Sequence, residues 1–187
     1  MINPYEKCPE FESENFLLRL VNTNDTDSLL KVYSDKKAVP FFNSDNCHGD
    51  NFYYDTKEKM DKAIGFWLYS YEQKYFVRWA IVSKKTGEAV GTIELFNRQA
   101  DDFFNNTGLL RLDLRSDYEN ADSIFEILSL IVPPTYKMFN CPKIATKIPP
   151  AAIERKTAAE RLGFSASSEK LIGLDGTVYG DYYVLLK

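Results

Sequence analysis

The chain has 187 residues, of which 44% are hydrophobic and 27% charged, and its formal net charge is −4. This length is typical of one domain with its own core, and we expect a single domain over residues 1–187. The aromatic content of 14% excludes a disordered or collagen-like chain. The mild excess of acidic residues predicts no nucleic-acid partner, because nucleic-acid binders carry clustered basic side chains.

The sequence carries no pattern typical of export or membrane insertion. Residues 1–14 mix prolines with charged residues, unlike the apolar segment of a signal peptide. The longest apolar stretch, Ile127–Val132, is far shorter than the roughly 20 residues that cross a membrane. Three widely separated cysteines predict reduced thiols in a cytoplasmic protein. They are Cys8, Cys47 and Cys141.

The predicted elements begin with a strand at 16–21, followed by two helices. The first helix starts at Asp25 and runs through Tyr33, because the Asp25 carboxylate can accept the free amide protons of a helix start. Thr56 is the predicted cap of the second helix, whose apolar residues recur at helical spacing.

Two strands at 76–82 and 90–96 come next, and the short loop between them contains Gly87, which is typical of a β-hairpin. A strand at 110–115 leads to a helix at about 123–130, which the following proline pair breaks or kinks.

The remaining pattern predicts a strand at 143–148, a helix at 151–162 ended by Gly163, and a type I′ hairpin at Asp175-Gly176. The order is β-α-α-β-β-β-α-β-α-β-β. This order predicts an α/β (α+β) fold with a mixed sheet and helices on both faces.

Most familiar catalytic motifs are absent. With His48 as the one histidine, no multi-histidine metal site can form, and we expect no metal. Cys47 precedes His48 directly, but adjacent side chains of an extended segment point apart, so a loop thiol is the simpler interpretation. No glycine-rich dinucleotide or phosphate loop occurs.

The strand at 110–115 alternates strictly between leucines and charged residues. Arg111, Asp113 and Arg115 share one face of it. A charged face is unfavourable inside a helix-covered sheet unless it lines a wet cleft. The strand therefore indicates either an active-site groove or a solvated edge, and the residues alone do not separate the two.

Three stretches of the chain, taken together with their order and spacing, resemble the GNAT superfamily of N-acetyltransferases. The resemblance is strongest to the branch of the ribosomal-protein N-acetyltransferases. The resemblance covers about residues 10–187 and implies a mostly antiparallel, twisted GNAT sheet. The stretches are 14–20 (ENFLLRL), 79–82 with 86–93 (WAIV and TGEAVGTI), and 158–164 (AAERLGF).

The resemblance implies acetyl-CoA as cosubstrate, bound where the strand at 110–115 parts from the strand at 143–148. The family's pyrophosphate loop falls on 117–122, where its two glycines are replaced by Asn120 and Asp122. Asparagine can still adopt a positive φ, whereas Asp122 brings a charge toward the phosphate. The implied cofactor-binding residues are Leu112, Leu114, Glu119, Asn120, Ala121, Asp122, Ser123, Ile124 and Arg155.

The family's proton donors to the departing thiolate are absent. The serine and tyrosine that serve this role in relatives fall at Arg155 and Ala159, and an asparagine that holds the cofactor falls at Ala152. Arg155 is either a fixed charge for a phosphate or thiolate, or a solvated arginine on an alanine-rich helix. Acids near the helix start, such as Asp122, can equally be ordinary helix caps.

If acetyl transfer occurs, a carboxylate must accept the proton of the attacking amine. Glu94 and Asp113 are the candidates, although each could instead form an ordinary ion pair.

The implied activity is acetyl transfer to a primary amine of a small molecule or a protein N-terminus. The alternative is a catalytically inactive protein that binds a ligand or a partner. The resemblance also allows a homodimer. The aromatic residues expected at the acceptor pocket are Phe41, Phe42, Phe52, Tyr53 and Tyr54.

Overall fold

A computed structural model describes residues 3–187. Its strands are Phe11–Glu12 (β1), Phe16–Leu20 (β2), Val77–Ser83 (β3), Ala89–Arg98 (β4), Thr107–Leu114 (β5), Lys143–Lys147 (β6), Ser165–Ala166 (β7), Leu171–Ile172 (β8), Val178–Tyr179 (β9) and Tyr182–Leu186 (β10). Its helices are Thr26–Tyr33 (α1), Lys57–Glu72 (α2), Ala121–Met138 (α3) and Ile153–Arg161 (α4). Short 3₁₀ turns precede α1, α2 and α3.

Eight strands form one sheet in the order β1-β2-β3-β4-β5-β6-β10-β7. All neighbours pair antiparallel except β5 and β6, which run parallel because α3 connects them. The predicted mixed α/β fold, with a mostly antiparallel sheet and helices on both faces, is confirmed.

Alternation along β3 explains how the two faces are covered. Trp79 and Ile81 are buried in the core that contains α3 and α4. Ala80 and Val82 point the other way, into the core that contains α1 and α2. Burial on both faces makes β3 an inner strand that is buried along its whole length.

The start of α1 differs from the prediction. Asn22, not Asp25, begins the helical segment, and its side chain accepts the Asn24 amide proton. Asp25 is the third residue of this capping box, and its carboxylate accepts the Asn22 amide proton at 2.9 Å. Asp25 also pairs with Arg19 at 2.6 Å, so its carboxylate joins β2 to the helix.

The proline pair does not end α3, which continues to Met138. Each proline removes one backbone hydrogen bond. Ile131, Val132 and Thr135 nevertheless remain buried on the core side, while Pro133 is exposed. Burial of the opposite side therefore keeps the segment helical.

The C-terminal hairpin exists, but its turn is longer than predicted. β8 and β9 pair around a loop in which the Gly173 amide donates to the Thr177 carbonyl at 2.8 Å. Gly176 has a φ of +83°, whereas Asp175 has no positive φ, so the turn is not type I′. The chain then enters β10, which lies between β6 and β7.

Candidate functional site

β5 and β6 part in the middle of the sheet. Their parallel pairing runs from Thr107 with Lys143 to Leu110 with Thr146, and β5 continues to Leu114 without a β6 partner. We call the notch between the parting strands the splay. It is bounded by residues 111–114 on one side and 147–148 on the other.

The side chain of Arg155 fills the splay. Its guanidinium Nη1 donates to the Leu112 carbonyl and to the Phe41 carbonyl, each at 2.8 Å. Arg155 is only 4% exposed, so the interpretation of it as a solvated arginine is wrong. The side chain starts on α4, on one face of the sheet, and ends at the segment that follows α1 on the other.

Glu119 completes the contacts of this guanidinium. Arg155 Nε donates to Glu119 Oε1 at 2.5 Å, and Nη2 donates to Oε2 at 3.0 Å. The two side chains are 5% and 8% exposed, so the pair is a buried, bidentate ion pair. An acid at the predicted pyrophosphate loop thus neutralises the arginine in the predicted pantetheine path.

Two of the first three amides of α3, those of Ala121 and Ser123, are already bonded to side chains of the protein. The Asn120 side chain accepts the Ser123 amide proton at 2.9 Å, with an extended φ of −133° rather than a positive one. Glu154 Oε2 accepts the Ala121 amide proton at 2.8 Å. Asp122 instead points outward to Arg161 at 2.6 Å, with its side chain 90% exposed.

These contacts do not fit acetyl-CoA. The Leu112 carbonyl, which would pair with pantetheine, is bonded to Arg155, and the space left beside it is about 10 Å³. That volume holds one water molecule at most. Leu114 and Ile124 are buried in the apolar core, and Ala152 and Ala159 are buried with no acidic group to offer a thiolate.

A cavity of about 700 Å³ lies on the face of the sheet that α1 and α2 cover. We call it the aromatic cavity. Eight aromatic side chains line it, and Arg78, Glu94 and Arg111 also border it. The aromatic lining residues are Phe52, Tyr53, Tyr54, Phe66, Trp67, Tyr75, Phe76 and Phe96.

Buried charges beside this cavity form one connected network. Arg78 lies over the Trp67 ring, 4.2 Å from its centroid, and donates to Glu94 and, at 3.1 Å, to Asp113. Arg111 donates to the other oxygen of Glu94 at 3.0 Å. Arg78, Glu94 and Asp113 are each about 1–2% exposed, which requires such mutual pairing.

The two predicted proton acceptors have different environments. Burial raises the pKa of Glu94, but Arg78 and Arg111 outweigh it and hold that pKa below its ordinary value. Burial raises the pKa of Asp113 above its ordinary value despite Arg78 and the Tyr33 hydroxyl, 2.7 Å away. Glu94 borders the cavity, whereas Asp113 is not among its lining residues. A catalytic role for either carboxylate stays a prediction.

The charged face of β5 is therefore neither an edge nor wholly a groove. β5 is an inner strand, so a solvated edge is excluded. Arg111 borders the cavity, in agreement with the groove interpretation, but Asp113 is enclosed by protein. Internal ion pairing is what makes a charged face stable at this depth.

Residues 43–47 contact β5, β6 and β10 beside the splay, and we call this segment the strap. The Asp45 carboxylate accepts from Lys147 Nζ at 2.6 Å and from the Tyr182 hydroxyl at 3.1 Å. Arg111 donates to the Asp45 carbonyl at 2.8 Å. Nothing in the local sequence predicts these contacts, because the partners are 66 to 137 positions away.

Cys47, at the end of the strap, is a half-buried free thiol that borders the aromatic cavity. Burial raises its pKa, although the neighbouring Arg111 opposes the shift. The next residue, His48, lies in the left-handed region with a φ of +54° and borders the aromatic cavity.

A second cavity of about 520 Å³ shares Asn46, Phe96 and Arg111 with the aromatic cavity.

The predicted aromatic residues divide into two groups. Phe52, Tyr53 and Tyr54 line the aromatic cavity. Phe42 instead packs on Tyr33 in the core, with ring centroids 5.3 Å apart, and Phe41 lies 5.8 Å from the Arg155 guanidinium.

Residues 3–187 contain no cluster of three or more histidine, cysteine or acidic side chains arranged to hold a metal ion. None of the helices in the same range combines the length and the apolar character needed to cross a lipid bilayer.

The model of the Acetyltransferase (GNAT) domain family matches residues 15–165, which is most of the chain. The chain belongs to the GNAT acetyltransferase family. Members of this family transfer acetyl groups to amines and generally use acetyl-CoA. No curated protein matches the chain.

Solved structures of GNAT proteins share the fold at low sequence identity. The ribosomal-protein-S5-alanine acetyltransferase of Vibrio fischeri is 16% identical over 94% of both chains, with a TM-score of 0.69. A GNAT-family acetyltransferase of Bacillus anthracis is 13% identical over 95% of this chain and 98% of its own, with a TM-score of 0.70. An acetyltransferase of Agrobacterium tumefaciens is 17% identical over 96% and 95%, with a TM-score of 0.64.

Proposed function

We propose that this GNAT protein binds a small ligand in the aromatic cavity and holds no acetyl-CoA in the splay. The observation that carries the proposal is the position of Arg155, whose guanidinium bonds the Leu112 carbonyl and so occupies the path predicted for pantetheine. The cavity itself has a volume within the range of about 300–1,000 Å³ that is typical of small-molecule sites.

Opening the splay for a cofactor is costly. Arg155 would have to leave Glu119, and separating a buried ion pair costs on the order of 3–5 kcal/mol. A pyrophosphate near the start of α3 would then face Glu119 and Glu154. Each like charge at about 4 Å opposes it by roughly 1 kcal/mol in water and roughly 4 kcal/mol near a protein surface.

A calorimetric titration with acetyl-CoA tests the proposal. We expect no saturable binding by the wild-type protein up to millimolar cofactor. The double variant Arg155→Ala, Glu119→Gln should bind acetyl-CoA at least tenfold more tightly, because it frees the Leu112 carbonyl and removes a negative charge. Saturable one-site binding by the wild type would contradict the proposal. A double variant that binds no better would show that Arg155 is not what closes the splay.

The second candidate function is acetyl transfer from acetyl-CoA to a primary amine of a small molecule or a protein N-terminus. Family membership favours it, and the Vibrio fischeri relative carries the name of a ribosomal-protein acetyltransferase. In this function Glu94 and Asp113 are the proposed proton acceptors. Release of free thiol from acetyl-CoA in the presence of amines, lost in Glu94→Gln or Asp113→Asn, would support it. Absence of thiol release across a panel of amines and peptides would exclude it.

Three further expectations remain proposals of the same kind. They are a single domain over residues 1–187, a cytoplasmic location, and a homodimer. Limited proteolysis tests the first, fractionation of the native host the second, and analytical ultracentrifugation the third.

A further inference from the structure

We infer that the aromatic cavity takes a small organic anion that carries a flat apolar group, that is, an arylalkyl carboxylate. This inference rests on the proposed function, since it names the class of ligand for the same cavity. The argument comes from the hydrogen-bonding capacity, the charge and the shape of the lining.

The acceptor atoms of the lining carboxylates are already used. Both oxygens of Glu94 accept from guanidinium groups, one from Arg78 and the other from Arg111. One oxygen of Asp50 accepts the Phe52 amide proton at 2.7 Å, and the other accepts the Tyr54 hydroxyl proton at 2.8 Å. A ligand ammonium group would therefore find each of these oxygens engaged.

Donors, by contrast, remain in excess. The Nε groups of Arg78 and Arg111 are buried and have no partner within the described residues. One donor of Arg111 is directed at the Cys47 sulfur, 3.4 Å away, which is a weak acceptor. Because both Nε atoms are fully buried, a carboxylate would pair with them after the guanidinium groups turn toward the cavity, and it would then supply the strong acceptors that this part of the wall lacks.

The rim adds mobile positive charge. Lys59 and Lys62 line the cavity, and their partners Asp55 and Glu58 lie outside the lining. These pairs are well exposed, with side-chain exposures between 45% and 78%, and such pairs are weak enough for a lysine to turn to a ligand. The positive character of the rim is local, because the chain as a whole carries a net charge of −4.

The wall determines the rest of the ligand. The rings around the cavity form a broad apolar surface, and Phe66 and Tyr75 are 58% and 61% exposed at its mouth. Aromatic rings favour flat apolar partners in offset or edge-on contact. A single ring on a short chain that ends in a carboxylate matches both the wall and the donors.

Calorimetry with four probes tests the inference in the absence of acetyl-CoA. The probes are 3-phenylpropionate, its neutral amide, the amine 3-phenylpropylamine, and propionate. We expect the phenylpropionate to bind at least tenfold more tightly than each of the other three. Equal or tighter binding of the amine or the amide would overturn the inference, and so would no binding of any probe.

Charge reversal on α2 supplies a matched control. Lys62→Glu should weaken phenylpropionate binding by about threefold to tenfold at low salt, because it places a negative charge at the rim. Lys57→Glu should leave binding unchanged, since Lys57 pairs with Asp27 and does not line the cavity. Equal effects of the two variants would contradict the assigned site. Binding of acetyl-CoA by the wild type, measured separately, would refute the closed splay without touching this comparison.

Discussion

Replacing Arg155 with methionine removes the guanidinium from the splay and leaves most of the side-chain volume. The change deletes two bonds to Glu119 and one each to the Leu112 and Phe41 carbonyls. Glu119 is then left buried without its partner, and loss of one member of a buried pair costs about 3–5 kcal/mol. For a domain of this size the thermal midpoint should fall by about 6–20 °C.

A double-mutant cycle in urea measures the coupling of this pair. Arg155→Met, Glu119→Gln and the double variant are compared with the wild type by circular dichroism. The double variant should cost less than the sum of the two single changes, by about 1–3 kcal/mol, because it leaves no unpaired buried charge. Lys156→Met serves as the control on the same helix. Lys156 is about half exposed and its ammonium lies 3.9 Å from the Glu160 carboxylate, a long and solvated pair, so its loss should cost less than about 1 kcal/mol.

The result that would refute this reasoning is a small and additive effect. If Arg155→Met destabilised the protein by less than about 1 kcal/mol and the cycle showed no coupling, the guanidinium would not be held in the splay. The obstacle to acetyl-CoA described above would then be absent.

Three further predictions concern other parts of the molecule. Asp122→Ala should change the free energy of unfolding by less than about 1 kcal/mol in urea denaturation, because its pair with Arg161 is exposed; a larger loss would contradict this. Because burial raises the pKa of Asp113 above its ordinary 3.8, the folded state retains a proton that the unfolded state releases, and stability falls as pH rises through that window. Asp113→Asn should flatten this fall at pH values above 3.8, and an unchanged slope would show that another group causes it. Gly91→Ala should destabilise the protein by at least about 2 kcal/mol in thermal denaturation, since the new Cβ would lie 2.3 Å from the Asp113 carbonyl oxygen. Gly65→Ala, on open helix surface, should stabilise the protein slightly in the same assay, and equal effects of the two changes would refute the assigned packing.

Much of the fold could be predicted because its signals are local. Thr56 caps α2 by accepting the Lys59 amide proton, and Gly87 and Gly163 have the positive φ values that their turns require. The end of α3 was not predictable in this way. Pro133 opposes a helix locally, but the buried residues around it are held by packing partners that no local pattern reveals.

The candidate site was less accessible to sequence reasoning. The sequence offers Glu94 and Asp113 as candidate proton acceptors with an ordinary ion pair as the alternative for each, and the structure shows both carboxylates paired with Arg78. The place of Arg155 in the splay could not be predicted, because its partner Glu119 is 36 positions away and resembled a helix-start acid. Charges whose partners are distant in the chain look solvated until the fold brings them together.

The strap has a consequence for the order in which the molecule assembles. Asp45 is joined to Lys147, 102 positions further along the chain, and to Tyr182, 137 positions further. Contacts of such long sequence separation form after local ones, since closing a long loop costs entropy before the contact stabilises it. Helices α1 and α2 and strands β2–β5 can therefore be complete while the strap is still undocked. A chain stopped before β10 would keep most of the aromatic side chains but lose one of the anchors that fix Asp45.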